Sequence, residues 1–261
     1  VSSQATPTAK TIALHHEVAG QGAPFVLIHG WCCSRRFMEP LRDSLVATGR
    51  QAVSVDLRGH GESSKPAGAY SIDILADDVA ALIERLALDQ PTVVGHSMGG
   101  IIAFDLAARY PQLISHTALL DTPFPMPAGI RSSLARLLDR LREPEWREAL
   151  HAYAWRGFFT AEDCEPRKSE LLAAMLETPQ HVAIAACEGM LRYDPQTVQW
   201  NRDCPLLVVG AGESHPRADL ECLTQIAPHA IRRHTTGSGH FHQVFVPDQV
   251  TALIDAFVNS R

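Results

Sequence analysis

The sequence predicts an α/β protein with a mostly parallel central sheet flanked by helices, and three observations carry that prediction. Short β-branched runs alternate with helical patterns over most of the chain, the pattern expected of βαβ units. The predicted strands close on Gly, Asp, Ser or His, the residues that open parallel sheets place in the ligand crevice at their strand ends. One long stretch, residues 123–201, contains helical patterns and no strand candidate.

Taken in order, the strand candidates are "FVLIHG" (25–30), "AVSVDLRGHG" (52–61), "TVVGHS" (92–97), "TALLDT" (117–122), "PLLVVGAG" (205–212) and "AIRRHTT" (230–236). Between them, residues 71–88 carry apolar residues at helical spacing, with Ser71 as the expected N-cap. Residues 99–110 form a second helix, stopped by Pro111. The insertion reads as four helical patterns, punctuated by Pro144, Pro166 and Pro179. The expected organisation is a core of residues 1–122 and 202–261 with a helical cap, residues 123–201, inserted between two strands.

Composition narrows the function. A chain of 261 residues, 46% hydrophobic, can bury a sizeable core. A formal net charge of −6, with no basic run able to follow a phosphate backbone, argues against nucleic acid. A small-molecule substrate is the expected partner, and the oligomeric state is not readable. No window reaches the ~18 apolar residues of a membrane span, and the opening "VSSQATPTAK" lacks the apolar core of a signal peptide. Cys32, Cys33, Cys164, Cys187, Cys204 and Cys222 include no C-x-x-C pair, so reduced thiols and a cytoplasmic location are expected, with a disulfide framework as the alternative. The 13 histidines show no H-x-x-x-H or H-E-x-x-H spacing, and neither G-x-G-x-x-G nor a Walker-type loop occurs. The expected chemistry uses no metal and no cofactor.

The segment "GHSMG" is a G-x-S-x-G with a strand before it and a helix after it. A strand-to-helix corner of that kind strains Ser97, pushes its hydroxyl out at the sheet edge and needs glycines at 95 and 99 to leave room. A serine hydroxyl is a poor nucleophile near neutral pH and requires a base, itself oriented by an acid. His240, in the Gly-rich loop "GSGHF", supplies the imidazole, and Glu213 follows the preceding strand. Their chain order, Ser97, Glu213, His240, is that of a nucleophile, acid and base.

With "HEVAGQGAPFVLIHGW", "DLRGHGESSKP", "GHSMGG", "LLVVGAGE" and "GSGHF" in that order, the chain resembles the α/β-hydrolase superfamily over nearly its whole length. The resemblance implies that the helical insertion is a lid, with Trp146, Tyr153, Trp155, Phe158 and Phe159 as candidate walls of the substrate pocket. It implies an oxyanion hole made by the backbone N–H groups of Trp31 and Met98. It also raises a second acid, Asp121, at the end of "TALLD", where some members of the superfamily draw theirs; Glu213 is the favoured acid and Asp121 the alternative. His242 is a rival base, while His29 and His60 read as structural.

The expected function is therefore a serine hydrolase cleaving an ester, thioester or lactone of a small, largely apolar or aromatic substrate through an acyl-enzyme. Two alternatives share the fold. Cofactor-independent dioxygenases of N-heteroaromatic substrates resemble the chain in its HGW segment and take their acid from the Asp121 position. A C–C bond hydrolase differs mainly in substrate. Dehalogenases and epoxide hydrolases of the superfamily require Asp where Ser97 stands, and a non-catalytic receptor is expected to lose a triad member.

Overall fold

The computed structural model describes residues 12–198, 200, 204–212 and 218–260. The opening segment, residues 1–11, and Glu213 lie outside the described residues. Seven strands form one sheet: β1 (His16–Ala19), β2 (Pro24–Ile28), β3 (Gln51–Val55), β4 (Thr92–His96), β5 (His116–Leu120), β6 (Leu206–Ala211) and β7 (Ile231–Thr235). Their order is β1-β3-β2-β4-β5-β6-β7. Only β1 runs antiparallel, pairing His16 with Val55 of β3; the remaining pairs are parallel.

Alternation along the strands sends side chains to two cores. Phe25 and Leu27 of β2 join Val94, Leu120 and Val209 on one face, covered by α1 (Glu39–Ala47) and α10 (Pro247–Val258), which contribute Leu41, Leu45, Val250 and Ile254. Val26 and Ile28 point the other way, joining Val53, Val93 and Leu119 under α2 (Ile72–Arg85) and α3 (Met98–Arg109). Between β5 and β6 the chain forms α4 (Ala128–Leu141), α5 (Trp146–Phe158), α6 (Glu165–Met175) and α7 (Gln180–Arg192). Two short helices, α8 (Leu220–Ile226) and α9 (His242–Phe245), complete the order. Among the described residues, no helix is long and apolar enough to cross a membrane.

The structure departs from the sequence reading in several places. β1, α1 and α10 carry no element in that reading. The strand expected over 52–61 stops at Val55, because the Asp56 carboxylate accepts the backbone N–H of Arg35 (2.7 Å) and of Glu62 (3.0 Å) and folds the chain back on itself. A Cβ at Gly61 would run into that carboxylate, so the turn requires glycine there. Ser71 does occupy the N-cap of α2, but its side chain makes no capping hydrogen bond. All six cysteines are free, and burial pushes the Cys32 and Cys33 thiols up and that of Cys187 to about 12, which disfavours the reactive thiolate.

Candidate active site

The site begins where β4 turns into α3. Ser97 sits at that corner with φ 54° and ψ −119°, a conformation that L-residues adopt at a cost of about 1–3 kcal/mol and that surrounding structure must hold. Here the backbone supplies the hold, since the Ser97 N–H donates to the Leu120 carbonyl at 2.9 Å. The glycines make the corner possible. A Cβ on Gly95 would overlap the carbonyl of Gly99, and one on Gly99 would overlap the carbonyls of Ile28 and His29. Backbone atoms of three segments therefore meet where side chains would normally stand. Gly99→Ala is accordingly expected to lose about 1–3 kcal/mol of stability and more than ~100-fold in activity, measured by denaturant unfolding and by initial rates; wild-type values for both would contradict the packing described.

His240 reaches the same corner from the loop between β7 and α9. Its Nδ1 lies 2.6 Å from Asp121 Oδ2, both side chains being buried. Beside a carboxylate Nδ1 carries the proton, which leaves Nε2 of the neutral ring as an acceptor. The backbone around the ring is fixed from both sides: the His240 N–H donates to the Phe158 carbonyl (2.9 Å), and His96 Nε2 donates to the His240 carbonyl (2.9 Å). Asp163, between α5 and α6, ties the loop further by accepting from Ser238 Oγ at 3.0 Å and from the Gly239 N–H. Asp121 follows β5 with φ 42°, and its other oxygen accepts the Ala211 N–H at 3.1 Å. Thus the acid is clamped between the ends of β5 and β6 before it meets the imidazole.

Ser97 and His240 line one cavity with Trp31, Tyr153 and Phe158. Its volume is about 30 Å³, against the ~300–1,000 Å³ of ordinary small-molecule sites. Met98 is the first residue of α3, and a first-turn N–H has no acceptor within its own helix. Among the described residues, the Trp31 N–H likewise has no protein acceptor, while its indole N–H donates to the Ala183 carbonyl of α7 at 3.0 Å. Gly30 fits between them because a Cβ there would stand 3.1 Å from the Ser97 Cβ.

Three of the aromatic residues expected at the pocket wall are not among the residues lining this cavity. Trp146 is buried in the core around α4, α5 and α7. Trp155 is 38% exposed and stacks on His151, with the Lys168 ammonium over its ring. Phe159 packs beside Phe241, with ring centroids 5.4 Å apart. The wall instead includes Phe241 of the "GSGHF" segment and Cys33, Ile130, Leu134 and Met190, which carry no motif. The i, i+4 spacing of Ile130 and Leu134 on α4 was the available signal.

The other histidines are accounted for by their partners. His29 Nε2 accepts the Leu57 N–H (3.0 Å), so Nδ1 donates to the Gly30 carbonyl (2.8 Å) and the ring is neutral. His242 bonds Thr235 Oγ1 through Nδ1 at 2.9 Å and is not among the residues lining the cavity. Among the described residues, His15, Asp56 and Glu62 bring metal-ligating atoms within 4.8 Å of one another. Arg35 already holds both carboxylates there, at 2.9 and 2.8 Å, so a cation would have to displace a guanidinium.

Burial lowers His60 to about 3 and His242 to about 4, whereas an unfolded imidazole titrates near ~6.5. Between those limits the unfolded chain binds more protons, so stability is complete above ~6.5 and declines as pH falls toward the folded values, by about 1 kcal/mol per pH unit for each ring. Urea unfolding at pH 7, 6 and 5 should show this slope, and His242→Gln should flatten it by about 1 kcal/mol per unit. An unchanged slope would contradict the assignment of His242 as a buried neutral ring.

A strained serine at a strand-to-helix corner, lining one cavity with an imidazole bonded to a carboxylate, is the arrangement of a G-x-S-x-G turn in an α/β sheet. The chain matches the family model of the alpha/beta hydrolase fold over residues 23–247 and belongs to that family. An esterase of Exiguobacterium antarcticum superposes with a TM-score of 0.84 at 21% identity, covering 95% of this chain and 96% of that one. A thermophilic esterase of Thermogutta terrifontis gives 0.81 at 24% identity, covering 94% and 92%. At these identities the likeness is one of fold. Bifunctional epoxide hydrolase 2 of Sus scrofa is 25% identical, across 93% of this chain and 52% of that protein. The chain spans about half the length of the curated relatives it matches.

Proposed function

We propose that the chain is a serine hydrolase that cleaves an ester, thioester or lactone of a small, largely apolar substrate. The observation that carries this reading is the His240–Asp121 hydrogen bond of 2.6 Å beside a cavity that Ser97 shares. In it, His240 Nε2 takes the hydroxyl proton as Ser97 Oγ attacks the carbonyl carbon, and Asp121 holds the imidazole and stabilises the imidazolium. The N–H groups of Trp31 and Met98 receive the developing alkoxide, each worth roughly 3 kcal/mol. Collapse of the adduct breaks the bond to the leaving group, which takes the proton from the imidazolium. Water, deprotonated by His240, then releases the acyl group. Residues 123–201 act as the lid over this cavity.

A second reading is kept because Asp121, the acid position of cofactor-independent dioxygenases, is the partner of His240. In that chemistry the His–Asp pair deprotonates a heteroaromatic substrate and the serine only binds it. Glycines at both 95 and 99 favour hydrolysis, since the known dioxygenase elbows often replace one of them. The test is fluorophosphonate labelling together with a panel of esters and lactones graded by acyl size. Labelling confined to Ser97, with turnover of the panel, supports hydrolysis. Oxygen uptake with a hydroxyquinolone, retained in Ser97→Ala and lost in His240→Ala, would replace it with the second reading.

A further inference from the structure

A second concavity lies on the helical insertion. It is a groove of about 590 Å³ between α4 and α5. Ser133, Arg136 and Arg140 line it from α4, and Ala152 and Arg156 from α5. Small residues leave the seam open: a Cβ at Gly157, also in the groove, would meet nothing within 4 Å. Tyr153 lines both this groove and the Ser97 cavity.

The charge of the groove runs against that of the molecule. The chain carries a net charge of −6, yet the groove presents three guanidiniums against the one carboxylate of Glu148. Elsewhere on the insertion guanidiniums are engaged: the exposed Arg142 and Arg192 pair with Glu188, and the half-buried Arg131 donates to the Leu191 carbonyl. Among the described residues the side chains of Arg136, Arg140 and Arg156 form no ion pair or hydrogen bond, so their fifteen donors are open to a ligand. Guanidinium forks favour planar oxyanions, and a basic groove on an acidic protein concentrates anions locally.

We propose that the groove binds an oxyanion, a carboxylate or phosphate, carried by the substrate at the end remote from the scissile carbonyl. This rests on the serine hydrolase reading and assigns its substrate class: an amphipathic ester whose apolar part passes Tyr153 into the Ser97 cavity while its charged end stays between α4 and α5. Arg136, Arg140 and Arg156 determine specificity and take no part in the chemistry.

The test uses p-nitrophenyl esters of one acyl chain length ending in a carboxylate, a phosphate or a neutral methyl ester. At low ionic strength wild type is expected to favour one or both charged esters by about ten-fold or more in kcat/KM, with the larger ratio naming the oxyanion. Salt at several times physiological strength should erase most of that ratio. In Arg136→Gln/Arg140→Gln/Arg156→Gln, KM for the charged ester should rise about ten-fold with kcat held, while the neutral ester is unaffected. Equal kcat/KM for charged and neutral esters in wild type, or a preference that survives in the triple variant, would overturn the groove alone. Hydrolysis of none of them, with Ser97 unlabelled by fluorophosphonate, would overturn the hydrolase reading and the groove together.

Discussion

Replacing Ser97 by alanine is expected to lower kcat for ester hydrolysis by about 10⁴- to 10⁶-fold, leaving only the residual rate of the oxyanion donors and binding. The size follows from what is lost. With no hydroxyl at the corner, His240 has no proton to take and no acyl-enzyme forms. The fold should survive, because the corner is held by the Ser97 N–H to the Leu120 carbonyl and by Gly95 and Gly99, not by the Ser97 side chain. Initial rates against denaturant unfolding separate the two. A large drop in activity at wild-type stability is the expected pair of results, and hydrolysis within ten-fold of wild type would show that another group attacks the carbonyl.

The second large effect concerns the acid. Asparagine at position 121 can keep its carbonyl oxygen on the Ala211 N–H, now held at 3.1 Å by Oδ1, and would set its NH₂ where Oδ2 meets His240 Nδ1. A donor there forces the proton onto Nε2, the wrong tautomer for accepting the serine proton. Asp121→Asn should therefore lose about 10⁴-fold in kcat with little loss of stability, the magnitude known for the equivalent change in a serine protease triad. Glu213→Gln, made in parallel, should cost less than about ten-fold. The reverse ranking would return the acid to Glu213, the residue the sequence reading favours.

How far the sequence revealed the site depended on the kind of constraint behind each residue. Ser97 was legible because the close approach of Gly95 to the Gly99 carbonyl, and of Gly99 to that of Ile28, admits only one residue type, which writes the elbow into the sequence. The parallel strands β2 to β6 were legible as largely apolar runs, since they are mostly buried on both faces. β1 was not, because its four residues, with a pattern of partial burial and exposure, carry no such run. Chain order alone left two acids open; the acid bonded to His240 became visible only once strand order placed β5 beside β4 and β6.

The pocket wall was the least legible part, for a reason of helical geometry. On α5, Trp146, Leu150, Ala154 and Phe158 recur every four residues and are buried, while Trp155 lies off that stripe and is exposed. Choosing wall residues by aromatic identity ignored that period. A cavity wall is drawn from several elements at once, here Cys33, Leu134, Met190 and Phe241, and no single local pattern marks residues whose common property is where the chain has brought them.

The most direct measurement is rapid-quench peptide mapping during turnover of a p-nitrophenyl ester. The account predicts a burst of nitrophenol close to one equivalent and an acyl group carried on the peptide containing Ser97, both absent from Ser97→Ala. An acyl group on any other residue, or steady turnover by wild type with no acylated peptide and no burst even at the earliest times, would contradict it.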